Sequence, residues 1–124
     1  MNRMSLLILP LVLLFAPACA GPTRIEGPWR FCPAPPARAH DVVTDALREF
    51  GYDLRENESR PDGFRIVASY EDRGREITQI VEARPAGAEC EVRIVTLAKV
   101  RDDEAPRGET AHDRLLGRID NAFR

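Results

Sequence analysis

Residues 90–98 read Cys-Glu-Val-Arg-Ile-Val-Thr-Leu-Ala, and this stretch decides the fold class of the chain. Small, apolar or β-branched side chains occupy every second position, the period of a strand that buries one face: Cys90, Val92, Ile94, Thr96 and Ala98. Residues 64–70 and 77–83 alternate in the same way, and short turns at residues 71–74 and 85–88 separate the three runs. The sequence therefore predicts consecutive antiparallel strands that form a meander.

Two amphipathic helices are predicted to flank this meander. Asp41 is expected to cap the first helix, and Gly51 is expected to end it in the left-handed conformation. After a polar loop over residues 101–110, Thr110 is expected to cap the second helix. The predicted fold class is α+β, a two-layer sandwich of a four-stranded antiparallel meander with two helices on one face, in the order α-β-β-β-β-α.

The first strand of the meander is predicted to begin at Tyr52 and Leu54 and to end before a polar loop over residues 57–63. The tight turns then set the register of the remaining strands. On the buried face they place Phe64 opposite Val81 and Val81 opposite Val92, and on the outer face Val67 beside Thr78 and Thr78 beside Val95.

The outer face of the predicted sheet carries an apolar stripe of Val67, Ile80, Val95 and Leu97 among charged residues. Such a stripe is more apolar than a solvated face requires, which predicts a surface for another envelope protein or for a second copy of the chain. Two alternatives stay open. The residues are scattered surface hydrophobes, or a bulge turns Val95 and Leu97 inward.

Residues 1–18 are predicted to be a signal peptide. Arg3 precedes an apolar run over residues 6–15, and small residues follow at Ala16 and Ala18. The run is shorter than the roughly 20 apolar residues that cross a bilayer, so a retained transmembrane helix is the weaker alternative. We therefore expect an exported protein without a transmembrane helix in its mature form.

The end of this segment resembles the signals of bacterial lipoproteins, in which a small residue precedes a cysteine that receives the lipid. Ala18 and Cys19 hold these two positions. The resemblance implies lipidation of Cys19, and Ala20 in place of aspartate implies the outer membrane, with the domain facing the periplasm. Ordinary cleavage after Ala18 or Ala20, which would release a soluble periplasmic protein, is the alternative.

Residues 19–38 contain five prolines and predict an extended tether, so the α+β domain is expected to span residues 39–124. With Cys19 lipidated or removed, Cys32 and Cys90 are left as a pair in an oxidising compartment. They are predicted to form a disulfide that ties the entry segment to the domain. The alternative is two free thiols.

The composition argues against several classes of function. With 18 basic residues against 20 acidic ones and a net charge of -2, nucleic acid is an unfavourable partner. No cysteine or histidine spacing predicts a metal or cofactor. His40 and His112 both lie near helix starts, where, if close together, they would share an acid-base or metal role with Asp41 or Asp113. No catalytic residues are otherwise predicted.

The order of elements resembles small bacterial envelope lipoproteins of unknown function, which carry a helix, an antiparallel meander and a closing helix after the anchor cysteine. The resemblance rests on Ala46-Leu47 before Gly51-Tyr52, Asp62-Gly63, Val92-Arg93-Ile94 and residues 116–123. It implies fold and location but supplies no catalytic residue. We expect a lipid-anchored binding or scaffolding module, with a small soluble periplasmic enzyme or a diffusible periplasmic binding protein as the alternative.

Overall fold

The computed structural model describes residues 23–100 and 106–124. It confirms the predicted α+β class, with one antiparallel sheet of six strands and two helices. The elements in chain order are β1 (Thr23–Glu26), β2 (Arg30–Cys32), α1 (Pro36–Glu49), β3 (Asp53–Arg60), β4 (Gly63–Asp72), β5 (Arg75–Ala86), β6 (Glu89–Lys99) and α2 (Pro106–Ala122). The predicted signal peptide over residues 1–18 and the predicted lipid site Cys19 lie outside the described residues.

The strands are ordered β1-β6-β5-β4-β3, and β2 also pairs with β6. β1 and β2 therefore form one edge together, β1 beside residues 95–98 and β2 beside residues 90–92. Residues 27–29 join them opposite only Arg93 and Ile94, which makes this link a bulge. The Gly27 N–H still donates to the Ile94 carbonyl at 3.0 Å.

The predicted tether differs from the structure over its described part. Residues 23–38 form β1, β2 and the first turn of α1, so ordered structure begins before residue 39. The prolines permit this because of where they lie. Pro28 occupies the bulge, and Pro36 is the first residue of α1, where a helix needs no N–H. The six-stranded count, against four predicted, comes from this segment.

The register differs from the prediction by two residues on each hairpin. Phe64 lies opposite Ala83, and Val81 lies opposite Ile66 and Ile94. On the outer face the predicted neighbours change too, since Val67 faces Ile80 and Ile80 faces Val95. The β4–β5 turn is centred on Arg73 and Gly74, both with positive φ, one position later than expected. A shift of two keeps every side chain on its predicted face.

Three element boundaries also differ. α1 begins at Pro36 instead of after Asp41, and α2 begins at Pro106 instead of after Thr110. The polar residues 57–60, predicted to be a loop, belong to β3. The end of α1 is confirmed, because Gly51 has φ 85° and the Tyr52 N–H donates to the Leu47 carbonyl at 2.9 Å.

Both helices cover the same face of the sheet, and the core lies between these two layers. α1 packs against β3 and β4, and α2 packs against β6 and β1. The core side chains include Val43 and Leu47 of α1, Ile66 and Val81 of the sheet, and Leu115 of α2. Within the described part of the chain, none of the helices is sufficiently long and apolar to cross a membrane.

Candidate functional site

A cleft of about 270 Å³ lies between α2 and the sheet edge that β1 and β2 form with β6. Its apolar surface comes from the inner face of β6 and from α2 and the residue after it: Val92, Ile94, Leu116, Ile119 and Phe123. The bulge at Gly27 and Pro28 and the start of β2 border the other side. The cleft exists because this edge strand is interrupted where α2 passes over it.

Charged and aromatic side chains form the rim of the cleft. The Arg30 Nη2 donates to Asp120 Oδ2 at 2.9 Å, an exposed ion pair that joins β2 to α2. Arg124 lines the same opening. Phe31 is 61% exposed and is the most exposed large apolar side chain of the described residues. The cleft thus combines an apolar interior with a polar entrance, as small-molecule sites generally do.

A chain of buried polar side chains runs from this cleft across the inner face of the sheet. Thr96 Oγ1 and His112 Nδ1 are 2.8 Å apart, and Thr96 Oγ1 donates to Gln79 Oε1 at 2.5 Å. Gln79 Nε2 in turn donates to the Tyr52 hydroxyl at 3.2 Å. Gln79 and Thr96 are fully buried, so each needs the partners that this chain supplies.

With the Gln79 amide oriented so that Oε1 faces Thr96, the hydrogen bonds of this chain assign the tautomer of His112. The Thr96 hydroxyl has one proton and donates it to Gln79, so the His112 Nδ1 must be the donor to Thr96. Burial lowers the pKa of His112, against a smaller opposing effect of Asp113, which keeps the ring neutral at pH 7. In a neutral ring with a proton on Nδ1, Nε2 carries the lone pair.

His112 Nε2 faces the interrupted edge strand. A Cβ atom added to Gly27 would lie 3.2 Å from Nε2, and both residues line the cleft. No described residue forms a hydrogen bond with Nε2, although Nδ1 has Thr96. The site therefore presents one hydrogen-bond acceptor at an apolar cleft, and its ring is held by the buried Thr96, which is hydrogen-bonded to Gln79.

The structure does not bring the two predicted histidines together. His40 lies with β3 and β4, where its Nε2 is 2.6 Å from Asn57 Oδ1 and its ring meets Phe64 edge-on at 5.3 Å. His112 bonds to β6, on the far side of β5. The expected shared role with Asp41 or Asp113 is wrong for this reason. Each histidine belongs to a different helix, and the two helices lie toward opposite edges of the same sheet face.

Cys32 and Cys90 are direct cross-strand partners in the β2–β6 pair, and both are buried. Their sulfurs are not bonded in this structure, and Cys90 Sγ donates to the Ala34 carbonyl at 3.5 Å. Burial and the neighbouring Cys90 raise the pKa of the Cys32 thiol to about 12. Directly opposed residues have Cα atoms about 4.5–5.5 Å apart, a separation that a disulfide can span. The bridge stays a prediction.

The outer sheet face carries the four residues predicted as a partner surface. Val67, Ile80 and Val95 stand side by side on β4, β5 and β6, and Leu97 follows Val95. Val95 is only 2% exposed, however, while the other three are half-buried. The expectation that Val95 lies open to a partner is wrong, because neighbouring side chains cover it.

The cover on the outer face is largely ionic. Arg93 contacts Glu82 at 2.8 Å and Glu26 at 3.5 Å, and these pairs flank Val95. Two guanidinium groups contact the Trp29 ring, with Arg84 Cζ 4.2 Å and Arg93 Cζ 4.7 Å from the ring centroid. Val95 is thus covered, while Val67, Ile80 and Leu97 stay half-buried on this face.

Metal chemistry finds no support in residues 23–100 and 106–124, which hold no group of three His, Cys, Asp or Glu side chains that could bind an ion.

The cleft was not predicted from the sequence, although the sequence does indicate the buried polar chain that leads to it. Gln79 and Thr96 interrupt apolar inner-face positions, and buried polar residues at such positions require a partner.

Comparison of the chain with protein-family models, with curated proteins and with solved structures finds no match in any of the three.

Proposed function

We propose that this protein is an exported, lipid-anchored binding module whose ligand site is the cleft between α2 and the β1–β2 edge. One observation carries the proposal: a neutral imidazole with a free acceptor nitrogen lies at an open apolar cleft. Side chains that serve only the core are enclosed by apolar atoms, whereas His112 is supported by buried hydrogen bonds and directed at the opening. A ligand would supply the missing partner.

The dimensions of the cleft suit a small molecule. Apolar cavities of about 150 Å³ already bind benzene, so about 270 Å³ accommodates roughly a bicyclic ring system. The walls would remove an apolar body from water, which contributes about 25 cal/mol per Å². This size does not suit a polypeptide, which needs an extended surface.

The proposed anchor would hold this cleft near the membrane. Three residues separate Cys19 from Thr23, where β1 begins, and the four Cα-to-Cα steps of this segment span at most about 14 Å when fully extended. β1 leads directly to the bulge that borders the cleft. A lipid on Cys19 would therefore keep the site close to the outer membrane, where apolar molecules concentrate.

Titration with 2-naphthol tests the binding proposal directly. Backbone amide resonances of β2, β6 and α2 are expected to shift in a saturable way, while those of β3 stay in place. Leu116→Glu, on the cleft wall, should weaken binding at least tenfold because it puts a charge in the apolar interior. Leu97→Glu is the matched control, since it changes another half-buried leucine, on the outer face.

Equal binding by both variants, or amide shifts confined to the outer face, would reject the cleft as the site. Thermal unfolding of each variant shows whether a loss of binding reflects a loss of fold.

Mass spectrometry of the mature N-terminus tests the anchor separately. We expect a diacylated or triacylated Cys19 as the first residue, and release from the membrane fraction in Cys19→Ser. An unmodified terminus at Gly21 would contradict the anchor and favour a diffusible periplasmic protein.

A further inference from the structure

The hydrogen-bonding character of His112 Nε2 indicates which kind of ligand group the cleft would bind. It depends on a buried chain of hydrogen bonds through Thr96, Gln79 and Tyr52. Each hydrogen bond in the chain donates in the same sense along Thr96, Gln79 and Tyr52, and the Nδ1 proton of His112 is donated to Thr96. With the proton on Nε2 instead, the Nδ1 lone pair would face the lone pairs of Thr96 unless the Thr96 hydroxyl and the Gln79 amide turned together. The acceptor character of Nε2 therefore follows from the orientation of Thr96 and Gln79, which lie outside the cleft lining.

We propose that the cleft selects a neutral hydroxyl compound, a phenol or alcohol on a small apolar body, whose O–H donates to His112 Nε2. This inference rests on the proposed function and specifies its ligand class. The apolar body would lie against Ile94 and Leu116, with the hydroxyl directed toward the Gly27 bulge.

Other head groups fit the same site poorly. An ionised carboxylate only accepts hydrogen bonds, so it gives nothing to a lone pair on Nε2. Of the two guanidinium groups that line the cleft, Arg30 is already paired with Asp120, so an anion would have only Arg124. An ammonium group has protons to donate, but its charge would lose its water shell against apolar walls. A neutral hydroxyl supplies the proton at the smallest cost of desolvation.

Three probes of similar shape test the selection at pH 7.5: naphthalene, 2-naphthol and 2-methoxynaphthalene. We expect 2-naphthol to bind about tenfold more tightly than either of the others, since only it has a proton to donate. Failure of all three to bind would reject the proposed function itself. Binding of all three with equal affinity would leave the cleft as a site and overturn only the hydroxyl inference. Tighter binding of 2-methoxynaphthalene would overturn it too, because the acceptor probe would then be the preferred one.

Acid should remove the preference without any substitution. Protonation turns Nε2 into a donor, so the preference for 2-naphthol is expected to be present at neutral pH and lost on acidification. The charged groups near His112 are Asp113, which acts on its pKa, and Asp120, both on α2, together with Arg30 on β2 and Arg124 after α2, which line the same cleft as Asp120. The loss must follow the midpoint of the His112 ring resonance measured by NMR. A preference that persists after the ring has titrated would overturn the inference.

Substitution of each histidine gives the matched comparison. His112→Phe keeps an aromatic ring but removes the acceptor, so naphthalene binding is expected to persist while the tenfold preference disappears. His40→Phe makes the same change near the opposite edge of the sheet and should leave the preference intact. Should His112→Phe fail to fold, the acid titration of the unaltered chain decides the question by itself.

Discussion

At one edge of the sheet β3 runs for eight residues and pairs with β4 along its length, whereas at the other edge residues 27–29 separate β1 from β2. β3 is polar at nearly every position, with a shift in register between Leu54 and Glu56, and charge of this kind discourages pairing with other chains. The β1–β2 edge is protected differently, by a bulge and by Pro28 and Pro33.

The difference between the two edges shows how an interrupted edge strand leaves room for a ligand-binding cleft in a small fold. The helix that covers each edge contains one histidine. At the continuous edge His40 has a hydrogen-bond partner in Asn57 of β3. The interrupted edge leaves His112 with a buried partner on one nitrogen and a cleft at the other. A continuous strand at this edge would close the cleft. The irregular strand therefore makes the site, and the following changes test this comparison.

Oxidation of Cys32 and Cys90 should have the largest effect on the interrupted edge. A disulfide would close the loop from residue 32 to residue 90 and stabilise the fold by about 4 kcal/mol on the chain-entropy estimate. Because the thiol pKa of Cys32 is raised to about 12, we expect a disulfide-exchange catalyst to be needed. Urea unfolding of oxidised and reduced protein measures the difference, and Cys32→Ser should abolish it. Equal stability of the two forms contradicts the prediction.

Alanine at one glycine of each edge should separate stability from binding. A Cβ at Gly63, where β4 begins beside β3, would clash with the Ala83 carbonyl oxygen, and the strand must shift. We expect Gly63→Ala to lower the free energy of unfolding by about 3 kcal/mol. At Gly27 the new Cβ meets the Ile94 oxygen at 3.1 Å and the His112 ring at 3.2 Å. Gly27→Ala should cost only about 1 kcal/mol but weaken 2-naphthol binding.

Chemical denaturation and the naphthol titration measure both quantities on both variants. A Gly27→Ala protein that binds as well as the unaltered chain would place the ligand away from the bulge.

Removal of an exposed ion pair should have the smallest effect on the free energy of unfolding, and the effect should be similar at the two edges. Arg30 pairs with Asp120 at the interrupted edge, and Arg65 pairs with Glu56 at the continuous one, at 2.7 Å. Both are solvent-accessible, so alanine at either arginine is expected to change the free energy of unfolding by about 0.5 kcal/mol or less. A loss of several kcal/mol for Arg30→Ala would show that this rim contact holds the edge in place.

The sequence predicts which sheet face each side chain occupies, because this depends on the alternation along a strand and not on the exact pairing between strands. The expected pairing was displaced by two residues, yet Phe64, Val81 and Val92 all lie on the predicted inner face. A displacement by one would have reversed every side chain. The α+β class, the helix end at Gly51 and the placement of both helices on one face follow from this local information.

The remaining errors have one origin, since local composition does not report pairing partners. Residues 57–60 of β3 are too polar to show alternation, and they continue the predicted strand because β4 lies beside them. The proline-rich segment before α1 joins the sheet because β6 offers it a free edge. The site depends on the same long-range pairing, so neither the cleft nor the isolation of His112 from His40 could be deduced from spacing along the chain.

The position of β6 also governs the order in which this protein can fold. β3, β4, β5 and β6 meet their neighbours through short hairpins or turns, which close quickly. β1 has no partner until β6 exists, and Thr23 pairs with Ala98 almost at the other end of the chain. Closing that long loop costs entropy before the β1–β6 contact contributes any stabilising free energy. Docking of β1 is therefore a late step. β1 thus emerges before the other strands during synthesis but is ordered after them.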